Sequence, residues 1–269
     1  FISITFSASP LVFEAIIQAH DWRIAWLILA GVIGIVFTIF VFFFFRDKPE
    51  DSGLLPDGHR HIDLSGEGGQ KEDTWTLAET RRTLTFWIFN IGLAMFSLWI
   101  TAVTFHIVSI FKVAGYERGD AISIFLPTAI IAVVLNITAG WMADSQCFKF
   151  RMKYLQMIML FGLAASSLGV MLLPAAYIGR YLIIAGNGVS QGFFGTVSNV
   201  VWPRYFGREH LGEIAGYNMS FLVFFSAIGP SIFGWSFDVS GNYYVATLVC
   251  LATIAALFVL SMWANRPKR

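Results

Sequence analysis

The chain has 269 residues, of which 57% are hydrophobic and 13% charged, and its mean hydropathy is +0.68. A soluble globular domain carries about 25% charged residues, so this composition excludes one and points to an integral membrane protein. A net charge of +1 gives no footing for nucleic acid, and Cys147 and Cys250 supply neither a disulfide framework nor a metal-binding spacing.

A bilayer core about 30 Å thick needs about 20 apolar residues in a helix. In chain order, the first run is Phe1–Ala19, which has no charged n-region before it and reads as a helix cut short rather than a signal peptide. Ile24–Phe45 follows without a charge. Then comes a polar interval, Arg46–Arg82, with five Gly, two Pro and charges of both signs, the composition of a solvated linker. Six further runs succeed it: Phe86–Phe111, Ala121–Ala143, Tyr154–Leu173, Tyr181–Trp202, Ile214–Phe237 and Tyr243–Ala264. A transmembrane barrel needs short alternating strands. These runs are long and do not alternate, so the expected fold is an all-α membrane bundle of about eight spans.

Lys and Arg collect in the connections on the cytoplasmic side of a membrane. Of the 18 here, 14 fall in one set of alternate connections, and the opposite set holds only Arg23, Lys112, Arg118 and Arg180. The linker, residues 146–153, residues 204–213 and the C-terminus are therefore expected in the cytoplasm, with the protein in a plasma (inner) membrane.

Three stretches carry a resemblance. Gly140-Trp-Met-Ala-Asp144, trailed by Lys149, Arg151 and Lys153, is similar to a glycine–three residues–aspartate signature, with Ser145 where a basic residue is usual. The others are Pro203–Gly216 and Gly229-Pro230-Ser-Ile-Phe-Gly234-Trp-Ser-Phe-Asp238, closed by Gly241-Asn-Tyr243. Together they resemble the major facilitator superfamily. With Thr104–Phe111 and Arg46–Pro56 added, the set looks like its monocarboxylate and oxalate–formate antiporter branch. The resemblance implies the fifth to twelfth of twelve helices, the first four being absent. Residues 1–45 would end the N-terminal bundle, 46–84 link the bundles, and 85–269 form the C-terminal six-helix bundle. It also implies that Asp144 acts as a latch on the inner side. Gly140, Gly212, Gly216, Gly229, Pro230, Gly234 and Asp238 are the candidate latch and hinge positions. Close packing is the alternative reading of Gly188/Gly192 and Gly212/Gly216, since small residues let helices approach in lipid.

In the fold so implied, the helices over 86–111 and 181–202 would line the central cavity. At 100° per residue, Arg180, Asn187, Gln191 and Ser198 share one stripe, and Asn90, Ser97, Thr101 and Thr104 share another. Two polar stripes suit a water-accessible path. Alternatively, Ser and Thr bond back to their own helices and Asn and Gln hold helices together. His106 lies about 160° from the Asn90 stripe, so it is a coupling candidate or a packed histidine rather than a direct ligand. Glu14 is the carboxylate well inside a span, hence the second coupling candidate; the alternative, with that helix cut short, is a place near the outer surface. The runs 121–143 and 214–237 hold no Lys or Arg, so Arg180 is the cation this half could offer an anion.

The function expected is secondary transport of a small organic solute, most simply a monocarboxylate-like anion, coupled to H+ or a counter-anion. A neutral or weakly charged solute, or a non-transporting sensor on the same fold, is the alternative. No His-Glu-x-x-His, phosphate-binding loop or nucleophile–base pair occurs along the spans, so neither an enzyme nor a cofactor is expected, and the protein is read as a monomer. With the native cysteines replaced, Arg60→Cys and Ser240→Cys are expected to react with an impermeant maleimide from opposite faces of sealed vesicles. Reaction of both from one face would overturn the topology.

Overall fold

The computed structural model describes residues 2–44, 74–145 and 151–267. The expectations placed on residues 45–73, 146–150 and the last two residues, including most of the linker, Cys147 and Lys149, lie outside them. The chain divides into two units, Ser9–Lys71 and a second that comprises Phe1–Ala8 and Glu72–Arg269.

Helix α1 runs Ile2–Ala19, and α2 runs Trp22–Gly31. The Asp21 carboxylate accepts from the Trp22 N–H at 2.7 Å and so begins α2. A π-helical stretch, Val32–Phe37, then leads into α3, Thr38–Phe44. Within the Ser9–Lys71 unit nearly all large apolar side chains of this span are exposed, Phe42 at 81%.

The larger unit opens with a short helix, α4 (Leu77–Thr80), started by a reciprocal capping box between Thr76 and Glu79. Thr83 caps α5 (Leu84–Val113) by accepting from the Phe86 N–H. There follow α6 (Arg118–Ser123), α7 (Phe125–Asp144), α8 (Met152–Leu172), α9 (Ile178–Phe206), α10 (Leu211–Ser240) and α11 (Tyr244–Ser261). Gly241 ends α10 at φ +69°, a left-handed conformation that glycine takes at low cost.

Six helical spans among the described residues are long and apolar enough to cross a membrane: Trp22–Phe43, Leu84–Val113, Arg118–Asp144, Met152–Leu172, Leu211–Ser240 and Tyr244–Ser261. Two of the eight expected runs, α1 and α9, are not in that set. Length does not disqualify α9, which has 29 residues. Its composition does, with Arg180, Asn187, Gln191, Asn199 and five glycines along it. Such a helix is tolerated where neighbours cover it, and α9 packs between α7 and α8.

Glycine sets how closely α9 is held. A Cβ on Gly186 would lie 2.4 Å from the Ser166 backbone nitrogen, and one on Gly162 would lie 2.8 Å from the Gly186 carbonyl. Gly169 and Gly179 repeat this one step along the same seam. On the α7 side, Gly188 and Gly192 face Ile131, Leu135 and the Ala132 carbonyl, which is the close-packing reading of that pair. Among the described residues nothing lies within 4 Å of a Cβ on Gly212 or Gly216.

The helix ends are tied together by side chains. Lys153 Nζ donates to the Met262 carbonyl and to Asn265 Oδ1, each at 2.8 Å, and Thr85 Oγ1 donates to the Asn265 carbonyl. Trp75, at the end of the expected linker, is buried against Phe206, and its backbone N–H donates to the Phe206 carbonyl at 2.9 Å.

Gly186→Ala is therefore expected to destabilise the purified protein by about 1–3 kcal/mol, since backbone rather than a movable side chain meets the new methyl. Gly140→Ala, where a Cβ meets nothing within 4 Å, is expected to be neutral or stabilising by up to about 1 kcal/mol. Thermal unfolding in detergent checks both, and equal losses would contradict the seam.

Candidate functional site: a groove between three helices

A groove of about 680 Å³ opens where α5, α9 and α10 meet. Its polar lining is Ser97 from α5, Ser198 and Asn199 from α9, and Asn218 and Ser226 from α10; its walls include Phe194 and Trp202. It lies at the end of the bundle where α9 finishes and α10 begins. Among the described residues no charged side chain lines it. Of the sequence candidates it gathers Ser97, Ser198 and Gly216.

The α5 stripe exists as a face, and three of its four members bind α10, Ser97 while also lining the groove. Ser97 Oγ donates to the Leu222 carbonyl at 2.9 Å, and the Thr101 and Ser226 hydroxyls are 2.9 Å apart. Asn90 is fully buried and its Oδ1 accepts from Asn218 Nδ2 at 2.7 Å. The same face continues to Gly229, where a Cβ would come within 2.6 Å of the Leu98 carbonyl. That closeness explains why α10 carries glycine before Pro230. Sequence reasoning identified the stripe but not its partner, since helical periodicity says which residues share a face and nothing about what covers it.

The α9 stripe divides into three environments. Asn187 Oδ1 accepts from Ser166 Oγ at 2.8 Å, and Ser166 in turn accepts from the Trp99 indole at 3.1 Å. This buried chain joins α5, α8 and α9, so Asn187 acts as a tie between helices. Gln191 and Asn187 border a void of only about 10 Å³ with Thr104 and Thr128. Ser198 faces the groove and bonds back to the Gly195 carbonyl. Between void and groove, Phe96 of α5 and Phe194 of α9 stack with ring centroids 4.1 Å apart and planes within 16°.

Arg180, the cation expected to meet an anion, is ion-paired within the bundle. Its guanidinium donates to Asp120 Oδ1 at 3.2 Å, to the Ser123 hydroxyl at 2.7 Å and to the Tyr177 hydroxyl at 2.8 Å. The Asp120 carboxylate already balances it, so this residue fastens α6 to α9 at the end of the bundle remote from the groove.

Arg204 makes the corresponding tie at the groove end. It donates to Asp144 Oδ1 at 2.9 Å and also to the Ala143 carbonyl, capping the last turn of α7. Asp144 is largely exposed, and exposed ion pairs contribute about 0.2–1 kcal/mol. Among the described residues the partner of this aspartate is a guanidinium from α9. Gly140 faces open space, and Asp238 is exposed.

His106 sits on the α10 and α11 side of α5, away from the groove. Its Nε2 is 3.0 Å from the Pro230 carbonyl oxygen, and Gly234 lies beside the ring. Glu14, half-buried on α1, accepts from Gln18 Nε2 at 3.1 Å on its own helix. Among the described residues no group of three or more His, Cys, Asp or Glu side chains is arranged to hold a metal ion.

The family model for the Major Facilitator Superfamily matches residues 1–230 of this chain. Monocarboxylate transporter 12 of Rattus norvegicus is 27% identical over 58% of the chain and 32% of its own length. The probable sulfoacetate transporter SauU of Cupriavidus necator is 23% identical over 96% of the chain and 61% of its own length. The membrane sensor protein UhpC of Escherichia coli K12 is 25% identical over 93% of the chain and 59% of its own length. The chain thus spans from about a third to about three fifths of the length of these relatives. Described residues that fold into helices, six of the helical spans long and apolar enough to cross a membrane, and a family match over residues 1–230 lead to one assignment: the chain belongs to the major facilitator superfamily.

Proposed function

We propose that this chain is part of a secondary transporter that moves a small organic solute by alternating access, with the α5–α9–α10 groove as its contribution to the substrate path. The observation that carries this reading is the groove itself. Hydroxyl and amide groups are concentrated there on three helices of a membrane bundle, where polar groups are costly unless they serve packing or a solute. In alternating access one bundle rocks against another around a central site, and residues 85–269 form one such bundle in this reading.

The groove offers hydrogen bonds and aromatic surface to a solute but no charge. Arg180 is balanced by Asp120, so a carboxylate would be neutralised by residues outside this groove. Relatives named as monocarboxylate and sulfoacetate transporters favour a small organic acid. The uncharged lining favours contact with the neutral part of such a molecule, or a neutral solute as a whole. With the Arg204 end assigned to the cytoplasm by the distribution of Lys and Arg, the groove opens inward. The Phe96–Phe194 stack then closes it on the outer side.

The test is counterflow by the natural full-length protein in proteoliposomes, with lactate, sulfoacetate and glycerol as probes. Exchange of at least one organic acid is expected. Ser198→Leu, which fills the groove, is expected to reduce it about tenfold or more, and Gln191→Ala to weaken it less, because Gln191 lies beyond the stack. Normal exchange by both variants would remove the groove from the path. UhpC, named as a sensor, supports a second reading on the same fold. Saturable binding of a probe without exchange would establish that one instead.

A further inference from the structure

The polar groups that line the groove have most of their hydrogens already placed. Ser97 Oγ is 2.9 Å from the Leu222 carbonyl oxygen, and Ser198 Oγ is 3.2 Å from that of Gly195. A carbonyl oxygen can only accept, so each serine commits its one hydroxyl hydrogen there and presents lone pairs alone. Serines in membrane helices place that hydrogen on a backbone carbonyl, here on their own helix for Ser198 and on α10 for Ser97. The Thr101 and Ser226 hydroxyls are 2.9 Å apart, and their mutual bond leaves one hydrogen between them. Asn199 Nδ2 donates to the Gly195 carbonyl at 2.8 Å and Asn218 Nδ2 to Asn90 Oδ1 at 2.7 Å. Each of these amides keeps its oxygen and one N–H.

The two serines stand beside the aromatic pair. Ser97 follows Phe96 in α5 and Ser198 lies one turn beyond Phe194 in α9, and those two rings stack at 4.1 Å. A solute that reaches the stack therefore meets, from two helices, oxygens that accept and do not donate. A hydroxyl hydrogen is matched to them. A keto or carboxylate oxygen only accepts, so it would set lone pairs against lone pairs and give up its bonds to water without replacement. The N–H groups left over belong to Asn199, which is exposed, and to Asn218 on α10.

We propose that the groove reads a hydroxyl group: Ser97 and Ser198 accept its hydrogen, and so select a hydroxyl-bearing solute over the counterpart with a keto oxygen in the same place. This rests on the groove being a solute path, and it names the part of the solute that the groove holds. The carboxylate of a hydroxy acid is left to groups outside the groove, because Arg180 is already balanced by Asp120. A neutral hydroxyl-bearing solute meets the same two acceptors.

The probes are two pairs that differ at a single carbon: lactate against pyruvate, and lactamide against pyruvamide, the second pair carrying no charge. Binding to the purified natural full-length protein is read by titration calorimetry and exchange by counterflow in proteoliposomes. In at least one pair the hydroxyl member is expected to bind about tenfold or more tightly than the keto member. Ser198 bonds only within α9, so Ser198→Ala leaves the ties between helices intact. It is expected to lower that ratio several-fold by weakening the hydroxyl member, with the keto member unchanged within about twofold. Ser198→Thr keeps the oxygen and is expected to keep the ratio. Ser97→Ala combined with Ser198→Ala is expected to bring the ratio to about one. Equal affinities within both pairs, binding of neither pair, or a ratio that the alanine variants leave in place would overturn the proposal. So would equal weakening of both members by Ser198→Ala, which is what a purely structural serine would give. Exchange without a hydroxyl preference refutes the proposal while transport stands. A hydroxyl preference in binding without exchange refutes transport while the proposal stands. Should the double variant not fold, Ser198→Ala alone decides.

Discussion

The seam between α5 and α10 governs the rest of the bundle. In lipid, a backbone polar group without an internal partner costs several kcal/mol, and α10 contains a proline at its centre. Side chains of α5 meet α10 at successive turns: Asn90 at Asn218, Ser97 at the Leu222 carbonyl, Thr101 at Ser226 and His106 at the Pro230 carbonyl. Gly229 brings the two backbones close enough for this to happen. A helix that would otherwise be weakened at its proline is held along its length by a neighbour.

A second seam acts by shape alone. Gly162, Gly169, Gly179 and Gly186 place the α8 and α9 backbones in contact, and Gly188 and Gly192 do the same for α7 and α9. Where hydrophobic burial between helices gives little, close packing and buried hydrogen bonds such as Trp99–Ser166–Asn187 supply the cohesion. The consequence reaches the groove. With α9 held on two sides, its remaining face, from Phe194 to Trp202, is presented to α5 and α10 at a fixed angle. The groove is the space those three helices leave.

Charge is kept out of that space. Arg180 and Arg204 sit at opposite ends of α9, and each is paired with a carboxylate and a second acceptor. Both act as fasteners between helix ends, leaving the middle of the helix to amides, hydroxyls and rings. In the proposed reading, a solute passing along this half meets hydrogen-bonding groups and aromatic rings. That division suits a fold in which two bundles share one site and each brings different chemistry to it.

By itself the sequence determined the class of solvent, the helices and the family. Uninterrupted apolar runs permit only helices in a bilayer, and the glycine–proline stretches carry the superfamily resemblance that the family match over residues 1–230 confirms. Periodicity also placed Asn90, Ser97 and Thr101 correctly on one face. What covers a face depends on which helices the chain brings together, and only the tertiary structure decided that. Ser97 and Thr101 join α10, Asn187 is held by Ser166, and Arg180 is balanced by Asp120 60 residues away. The glycines of α8 carry no sequence signal of their own, because a small residue in a helix acquires a packing role only through its neighbour. Helical repetition is a local property of the chain, whereas hydrogen-bond partners and void space arise from residues far apart in it, such as Asn90 and Asn218.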